Sequence, residues 1–358
     1  MTSTIDAKSF YKALKHLDVF NQKAKVLFFD EVCIRFREDS CTLSATDVYN
    51  EISVNVPASG DSFDFVFCTT KKVINACRYF EGLLTITLNG ADKEMRVTMR
   101  CGDKSAVFPV IRADDYYTVR DFEPEQSYTA NAAALLERMK RVKYAAMPYN
   151  NQHPDMEGFQ FYGSQLFCVD GYRLAVSEDS GLTVTNPFVI SKTAVNCLKE
   201  MGTADVQIDV GKRLVRFRAG NITAFIQRIQ SNCSIIPEKV IPKQQKESYT
   251  IDRRKYLNEL DYLKQCYGAK GKAIVQFENG VLSVQQQEAC YQAKVEVAGN
   301  CDVIYAFDVE FMRDALSQFS GTDQVRIQVS SHYAPITITA EGTTDTALVL
   351  PYRTRSAA

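Results

Sequence analysis

Thr4-Ile5-Asp6, Thr129-Ala130-Asn131 and Thr250-Ile251-Asp252 are one pattern met three times, at a spacing of roughly 120 residues. Each places a short side chain with an acceptor oxygen directly before a run of helical periodicity, where it can take a hydrogen bond from an orphan N–H of the first turn. The apolar residues that follow keep helical spacing: Phe10, Leu14 and Leu17; Leu135, Met139, Val142 and Ala146; Tyr256, Leu260, Leu263 and Tyr267. Working outward, two further patterns recur in the same order. A second helix is expected over 71–80, 191–201 and 308–319, each after an apolar strand-like stretch, with Thr70, Ser191 and Asp308 as caps. A hairpin then closes each repeat. Residues 95–102, 214–220 and 335–342 alternate and break at Gly102, Gly220 and Gly342, and a short strand follows at 106–110, 223–229 and 347–350.

Three patterns in one order, three times over, give an α+β chain of three tandem repeats, with antiparallel strands and two helices in each. Short polar segments at 121–126 and 243–247 set the expected domains at 1–122, 123–245 and 246–358. A length of 358 residues suits that number of cores. The chain is 46% hydrophobic and 24% charged, which excludes wholesale disorder. No apolar run is long enough to span a bilayer, and residues 1–8 have no apolar signal region, so the expected compartment is the cytoplasm and no membrane partner is expected. Eleven scattered cysteines without a C-x-x-C pair read as reduced, buried thiols, and three separated histidines offer no metal centre. No phosphate-cradling glycine loop or nucleophile elbow occurs. Neither a cofactor nor a catalytic residue is expected. Asp47 and Asp170, the carboxylates a metal-dependent nuclease or transferase would use, lack a clustered third ligand and read as turn residues.

The formal net charge is −1, so what matters is where the signs lie. The opening helices and their flanks are basic: Lys8, Lys12, Lys15, Lys23 and Lys25; Arg138, Lys140, Arg141 and Lys143; Arg253, Arg254, Lys255, Lys264, Lys270 and Lys272. The second helices add Lys71, Lys72, Arg78, Lys192 and Lys199. A nearly neutral protein that gathers cations on equivalent helices is expected to present them to a phosphate backbone. No aromatics interleave with these cations, so a duplex held without base readout fits better than stacked single strands.

Four stretches carry a family likeness. Thr42-Leu-Ser-Ala-Thr-Asp-Val-Tyr-Asn-Glu-Ile52, Phe167-Cys-Val-Asp-Gly-Tyr-Arg-Leu-Ala175, Pro237-Glu-Lys-Val-Ile-Pro242 and Val349-Leu-Pro-Tyr-Arg353 resemble, in the right order, segments of the bacterial DNA polymerase III beta subunits, the sliding clamps. Val169 stands where that motif has Thr, and Tyr352 where a Met is usual. The resemblance implies a head-to-tail homodimer closed into a ring, with sheets outside and the two helices of every repeat lining a hole that encircles duplex DNA. It implies a processivity factor without catalysis of its own, serving a replicative DNA polymerase, a clamp loader and other proteins that carry the clamp-binding motif.

The resemblance further implies a pocket for an apolar partner peptide with a Gln and Leu/Phe anchors. Carried over, its lining is Met156, Val169, Gly171, Tyr172, Arg173, Leu174, Pro237, Val240, Phe311, Tyr333, Pro335, Val349, Leu350, Pro351, Tyr352 and Arg353. For DNA contact the candidates are Lys23, Lys25, Lys72, Arg78, Arg138, Lys140, Arg141, Lys143, Asn151, Gln152 and Lys199. The dimer seam is expected between the 101–108 edge and the helix end at 264–267. The alternative is a monomeric three-module DNA-binding or scaffold protein that does not encircle DNA.

Overall fold

The structure, a computed structural model, describes residues 1–19, 31–90, 94–114, 116–119, 121–148, 152–230, 235–268 and 272–353. One order of elements occurs three times: a strand, a helix, four strands, a helix and three strands. The first run is β1 (Thr2–Asp6), α1 (Ala7–His16), β2 (Val32–Phe36), β3 (Ser40–Thr46), β4 (Glu51–Gly60), β5 (Phe63–Phe67), α2 (Thr70–Cys77), β6 (Leu83–Asn89), β7 (Arg96–Cys101) and β8 (Lys104–Ile111). The second is β9 (Gln126–Asn131), α3 (Ala132–Val142), β10 (Phe159–Gly163), β11 (Gln165–Val169), β12 (Arg173–Glu178), β13 (Val184–Ile190), α4 (Ala194–Glu200), β14 (Asp205–Val210), β15 (Leu214–Ala219) and β16 (Ile222–Ile229). After a short α5 (Pro237–Val240) come β17 (Glu247–Asp252), α6 (Arg253–Tyr267), β18 (Ile274–Glu278), β19 (Val281–Gln286), β20 (Ala289–Lys294), β21 (Ala298–Asn300), β22 (Tyr305–Asp308), α7 (Val309–Ser317), β23 (Gln324–Val329), β24 (Ile336–Thr339) and β25 (Thr346–Val349). The short β21 is the one extra strand of the third run. The chain forms two compact units, residues 1–134 with 193–228, and residues 135–192 with 229–358, so the division passes through the middle run.

The three lead-in residues do what their chemistry allows. Asp6 accepts from the Ser9 N–H at 2.8 Å, Asn131 from Ala134 at 3.1 Å and Asp252 from Lys255 at 2.9 Å. At the second helices only Asp308 caps, accepting from the Glu310 N–H at 2.9 Å. Thr70 is instead the first helical residue of α2, and α4 starts three residues beyond Ser191, after Thr193; Thr69 and Thr193 make no side-chain cap bond. The three hairpin glycines adopt φ values of 57°, 56° and 76°, a left-handed turn that a side chain would strain.

Apolar faces close the cores. In the first unit Phe10, Leu14, Phe36 and Phe65 are fully buried, and α1 packs on α2. In the second, Phe277 stacks between Tyr249 and Tyr305, with both centroid distances 5.2 Å, and α6 packs on α7. Seven described cysteines are buried and none is paired. Burial pushes the Cys33 thiol up to about 12. Among the described residues no helix is long and apolar enough to cross a membrane.

Repeats are joined by strand pairing. β16, last of the second run, pairs antiparallel with β4 of the first, from Ile222 opposite Val54 to Phe225 opposite Glu51. β25, last of the third, pairs in the same way with β12, which holds the place of β4 in the second run, with Arg173 opposite Val349 and Val176 opposite Thr346. Helix ends meet at the same joints. His16 Nδ1 lies 2.8 Å from Glu200 Oε2, and the Tyr144 hydroxyl donates to Gln318 Oε1 at 3.0 Å.

Asp209 of β14 anchors the sheet beside the first joint. It is 1% exposed and accepts from the Ser127 hydroxyl at 2.7 Å and from Arg216 at 2.8 and 3.0 Å. Burial alone would raise its pKa, but Ser127 and then the Arg216 and Arg218 charges outweigh that and hold it below 3.8. A depressed carboxylate stabilises the fold above its unfolded value and loses that contribution as pH falls through the folded one. Asp209→Asn should therefore cost roughly 1–3 kcal/mol at pH 7. In thermal melts of the two chains the gap in Tm should narrow below about pH 4. A gap that is constant with pH contradicts this.

Candidate partner-peptide site and basic helices

The turn between β11 and β12 is built by one carboxylate. Asp170 Oδ1 accepts from the N–H groups of Tyr172 (3.0 Å) and Arg173 (3.1 Å), and Oδ2 accepts from Arg173 Nε at 2.9 Å. Gly171 takes φ 85° at the crown, with nothing near the position of a Cβ. Asp170 is thus committed to shaping the turn, as an aspartate turn residue does. The Arg173 guanidinium also pairs with Asp314 and lies 4.6 Å from the Phe311 ring centre. Tyr172, 59% exposed, stacks on Phe311 at 5.9 Å, and its carbonyl accepts from the Leu350 N–H at 2.8 Å.

Beside this turn lies an apolar floor of Phe167, Val169, Leu174, Val176 and Leu348, with Met156, Tyr162, Ile235 and Ile241 partly buried against it. Val240, Leu350, Tyr333 and Tyr352 are 40–56% exposed, Pro237 is buried, and Pro335 and Pro351 are half-buried; Tyr333 and Tyr352 line a small cleft with Gln276 and Ile304. Large apolar groups left in water beside a dry floor are what an anchored peptide would cover. Val349 is the exception among the expected lining. Strand alternation turns it away from Leu348 and Leu350 into the core of the third run, where it is fully buried.

The first run contains the same turn with different chemistry. Asp47 Oδ1 accepts from Tyr49 (3.1 Å) and Asn50 (2.7 Å), and Val48 holds φ 76° where Gly171 stands in the second run. Counting from each aspartate, Phe167, Val169, Leu174 and Val176 correspond to Ser44, Thr46, Glu51 and Ser53. That polar floor is met by the chain itself: the Tyr116 hydroxyl donates to the Ser44 carbonyl at 3.2 Å, and the Val119 N–H donates to Glu51 at 2.7 Å. One backbone device therefore sits beside polar strand chemistry in one place and beside an apolar cluster in the other.

The basic residues divide by burial. Lys72, Arg78, Lys143 and Lys199 are exposed, and Gln152 is too. Lys140 is exposed but paired with Glu137 at 2.6 Å, and Arg141 pairs with the buried Asp345 at 3.2 Å. Arg138 does not belong to a phosphate surface. It is 4% exposed and donates to the carbonyls of Ser164 (3.0 Å) and Ser177 (2.8 Å), with Asp179 beside it. Arg253 is buried in the same manner on the carbonyl of Thr322. Lys23, Lys25 and Asn151 lie outside the described residues.

With this geometry in hand, three solved structures compare over nearly the full length. The DNA polymerase III subunit beta from Pseudomonas aeruginosa superposes with a TM-score of 0.86 at 17% identity, over 99% of this chain and 100% of that one. The DNA polymerase sliding clamp from Caulobacter crescentus gives 0.85 at 18%, over 99% and 100%. The sliding clamp from P. aeruginosa bound to griselimycin gives 0.83 at 17%, over 99% and 100%. The chain has the sliding-clamp fold. No protein-family model matches the sequence, and no curated protein does. At such identity the likeness is one of backbone, and the side chains of the clamp trough described above are this chain's own.

The two turns of this clamp fold make a reciprocal test. A β-branched residue at positive φ is strained, and glycine is not. Val48→Gly should raise stability by roughly 0.5–1 kcal/mol, whereas Gly171→Val should lower it by roughly 1–2 kcal/mol. Urea unfolding of both variants checks this; shifts of the same sign would contradict it.

Proposed function

We propose that this chain is a DNA sliding clamp: a homodimeric ring that encircles duplex DNA and tethers a replicative polymerase, with no chemistry of its own. The three runs are its domains, bounded near 122 and 245. The observation that carries the proposal is the rule of the joints. A last strand pairs with the fourth strand of the preceding run in both internal joints. By that rule β8 seeks a β20, and among the described residues β20 pairs only with β19, while β8 pairs with β7 and, at its end, with β5. Exposed apolar groups stand at both edges: Tyr79, Val107 and Ile111 on one side, Tyr262 on the other. Tyr79, two residues past the end of α2, holds the position that Glu200 and Gln318 hold at the internal joints. A second copy supplies the missing partner strand twice, and head-to-tail contacts then close.

The mechanism is topological. A closed ring leaves DNA only when a seam opens or a DNA end passes, so weak phosphate contacts suffice and a tethered polymerase re-engages at high effective concentration. Lys72, Arg78, Lys143 and Lys199 are the cations proposed to face the backbone. The trough between Tyr172 and Tyr352 would receive the apolar peptides of polymerase, loader and other clamp-binding proteins.

The test is retention. Protein loaded on nicked circular DNA should stay through gel filtration and be lost when the circle is cut. Equal behaviour on circle and line would favour the monomeric three-module alternative instead. The joint rule adds a second check. Carrying over the register that places Glu51 opposite Phe225 sets Cys290 of one copy opposite Val107 of the other, within disulfide range. Val107→Cys should cross-link to a covalent dimer under mild oxidant, while the parent chain does not. Failure to cross-link while the chain still dimerises would overturn that register.

A further inference from the structure

Two cations near the proposed peptide trough have no carboxylate partner among the described residues. Arg173 is paired with both Asp170 and Asp314, and so is spent. Lys272 is different: its ammonium lies 5.7 Å from the ring centres of both Tyr172 and Phe311, and among the described residues it has no carboxylate partner. Arg353 lies 5.7 Å from the Tyr333 ring centre, again with no carboxylate among the described residues. Arg353, Tyr352, Tyr333 and His332 line a small cleft with Gln276 and Ile304. One short stretch, 350–353, links the surroundings of the two cations. Leu350 is tied to the Tyr172 carbonyl, next to Lys272, and Tyr352 is tied to the Ala306 carbonyl, next to Arg353.

A cation laid on an aromatic face is held in place and partly stripped of water, which readies it for an anion. Two such cations, separated by an apolar stretch, match two side-chain carboxylates with apolar anchors between them better than they match one chain terminus. Exposed rings and a dry floor beside the cations favour a peptide over a nucleic-acid backbone.

We propose that the peptide docking here carries acidic side chains on both flanks of its apolar anchors, with one carboxylate at Lys272 and the other at Arg353. This rests on the peptide-trough reading and adds the chemistry that selects among peptides. Rim charges act mainly on specificity and association rate, and each exposed pair contributes up to about fivefold in affinity.

The experiment uses the full chain and three fluorescein-labelled peptides. All share a core with a Gln and Leu and Phe anchors, and differ only in flanks of Asp, Ser or Lys. Anisotropy titration at low salt should order them Asp, Ser, Lys, with roughly tenfold between the first two, and high salt should compress the order. The double variant Lys272→Glu, Arg353→Glu should reverse the order. Lys272→Gln, Arg353→Gln should abolish the order. Equal binding of all three peptides leaves the trough standing and overturns the acidic flanks. Absence of binding by any of them overturns the trough and this proposal with it. Displacement of the Asp-flanked peptide by a short DNA duplex at matched charge would assign the cations to nucleic acid and overturn it as well.

Discussion

The hydrogen-bonded pairing of one repeat's last strand with the fourth strand of the repeat before it is the constraint on which the architecture depends. A sheet edge exposes unpaired N–H and C=O groups and is a template for another strand. The chain uses that property twice, at β16 on β4 and β25 on β12, and helix ends meet at both places through His16 with Glu200 and Tyr144 with Gln318. A tandem array with such a rule always leaves one edge of each kind at its ends. Here those ends carry Val107 and Tyr79 in water on one side and Tyr262 on the other. In the proposed dimer a second copy would cover both edges by the same strand pairing that joins the repeats internally.

The same economy of backbone explains why only one of the two described turns is a candidate docking site. Asp47 and Asp170 fold identical turns through identical acceptor geometry. What separates them is the strand chemistry on either side. Each polar side chain there has its own partner: Ser44 accepts from Arg35, Thr46 bonds within its turn to the Asn50 carbonyl, and Glu51 accepts from the Val119 N–H. Burial pushes the Glu51 carboxyl up, and the Val119 N–H holds against that shift. Phe167, Val169 and Leu174 require only exclusion of water, which Met156, Tyr162, Ile235 and Ile241 help to provide.

Much of this was legible in the sequence, for physical reasons that differ residue by residue. Asp6, Asn131 and Asp252 announce their helices because a cap acts on backbone three residues away, and Gly102, Gly220 and Gly342 announce their turns through local φ. Asp170 and Tyr172 could be placed on a turn for the same reason. Arg138 could not be placed correctly, because its partners are carbonyls 26 and 39 residues away, and a basic helix face looks alike whether it meets solvent or a buried carbonyl. Val349 failed on register: one residue either way decides between trough and core. The signal that was present but unused is the joint strand itself, Ser105-Ala106-Val107-Phe108, Thr223-Ala224-Phe225-Ile226 and Thr346-Ala347-Leu348-Val349. Only the fold reveals which strand lies opposite it.

The most direct measurement of the central claim is the mass of the full chain in solution at micromolar concentration, by sedimentation or native mass spectrometry. Two edges closed by a second copy require a species of twice 40.3 kDa and no open series of higher oligomers. A chain that stays at 40.3 kDa, or that grows into a ladder of trimers and beyond, would contradict closure and leave the free edges without the partner assigned to them.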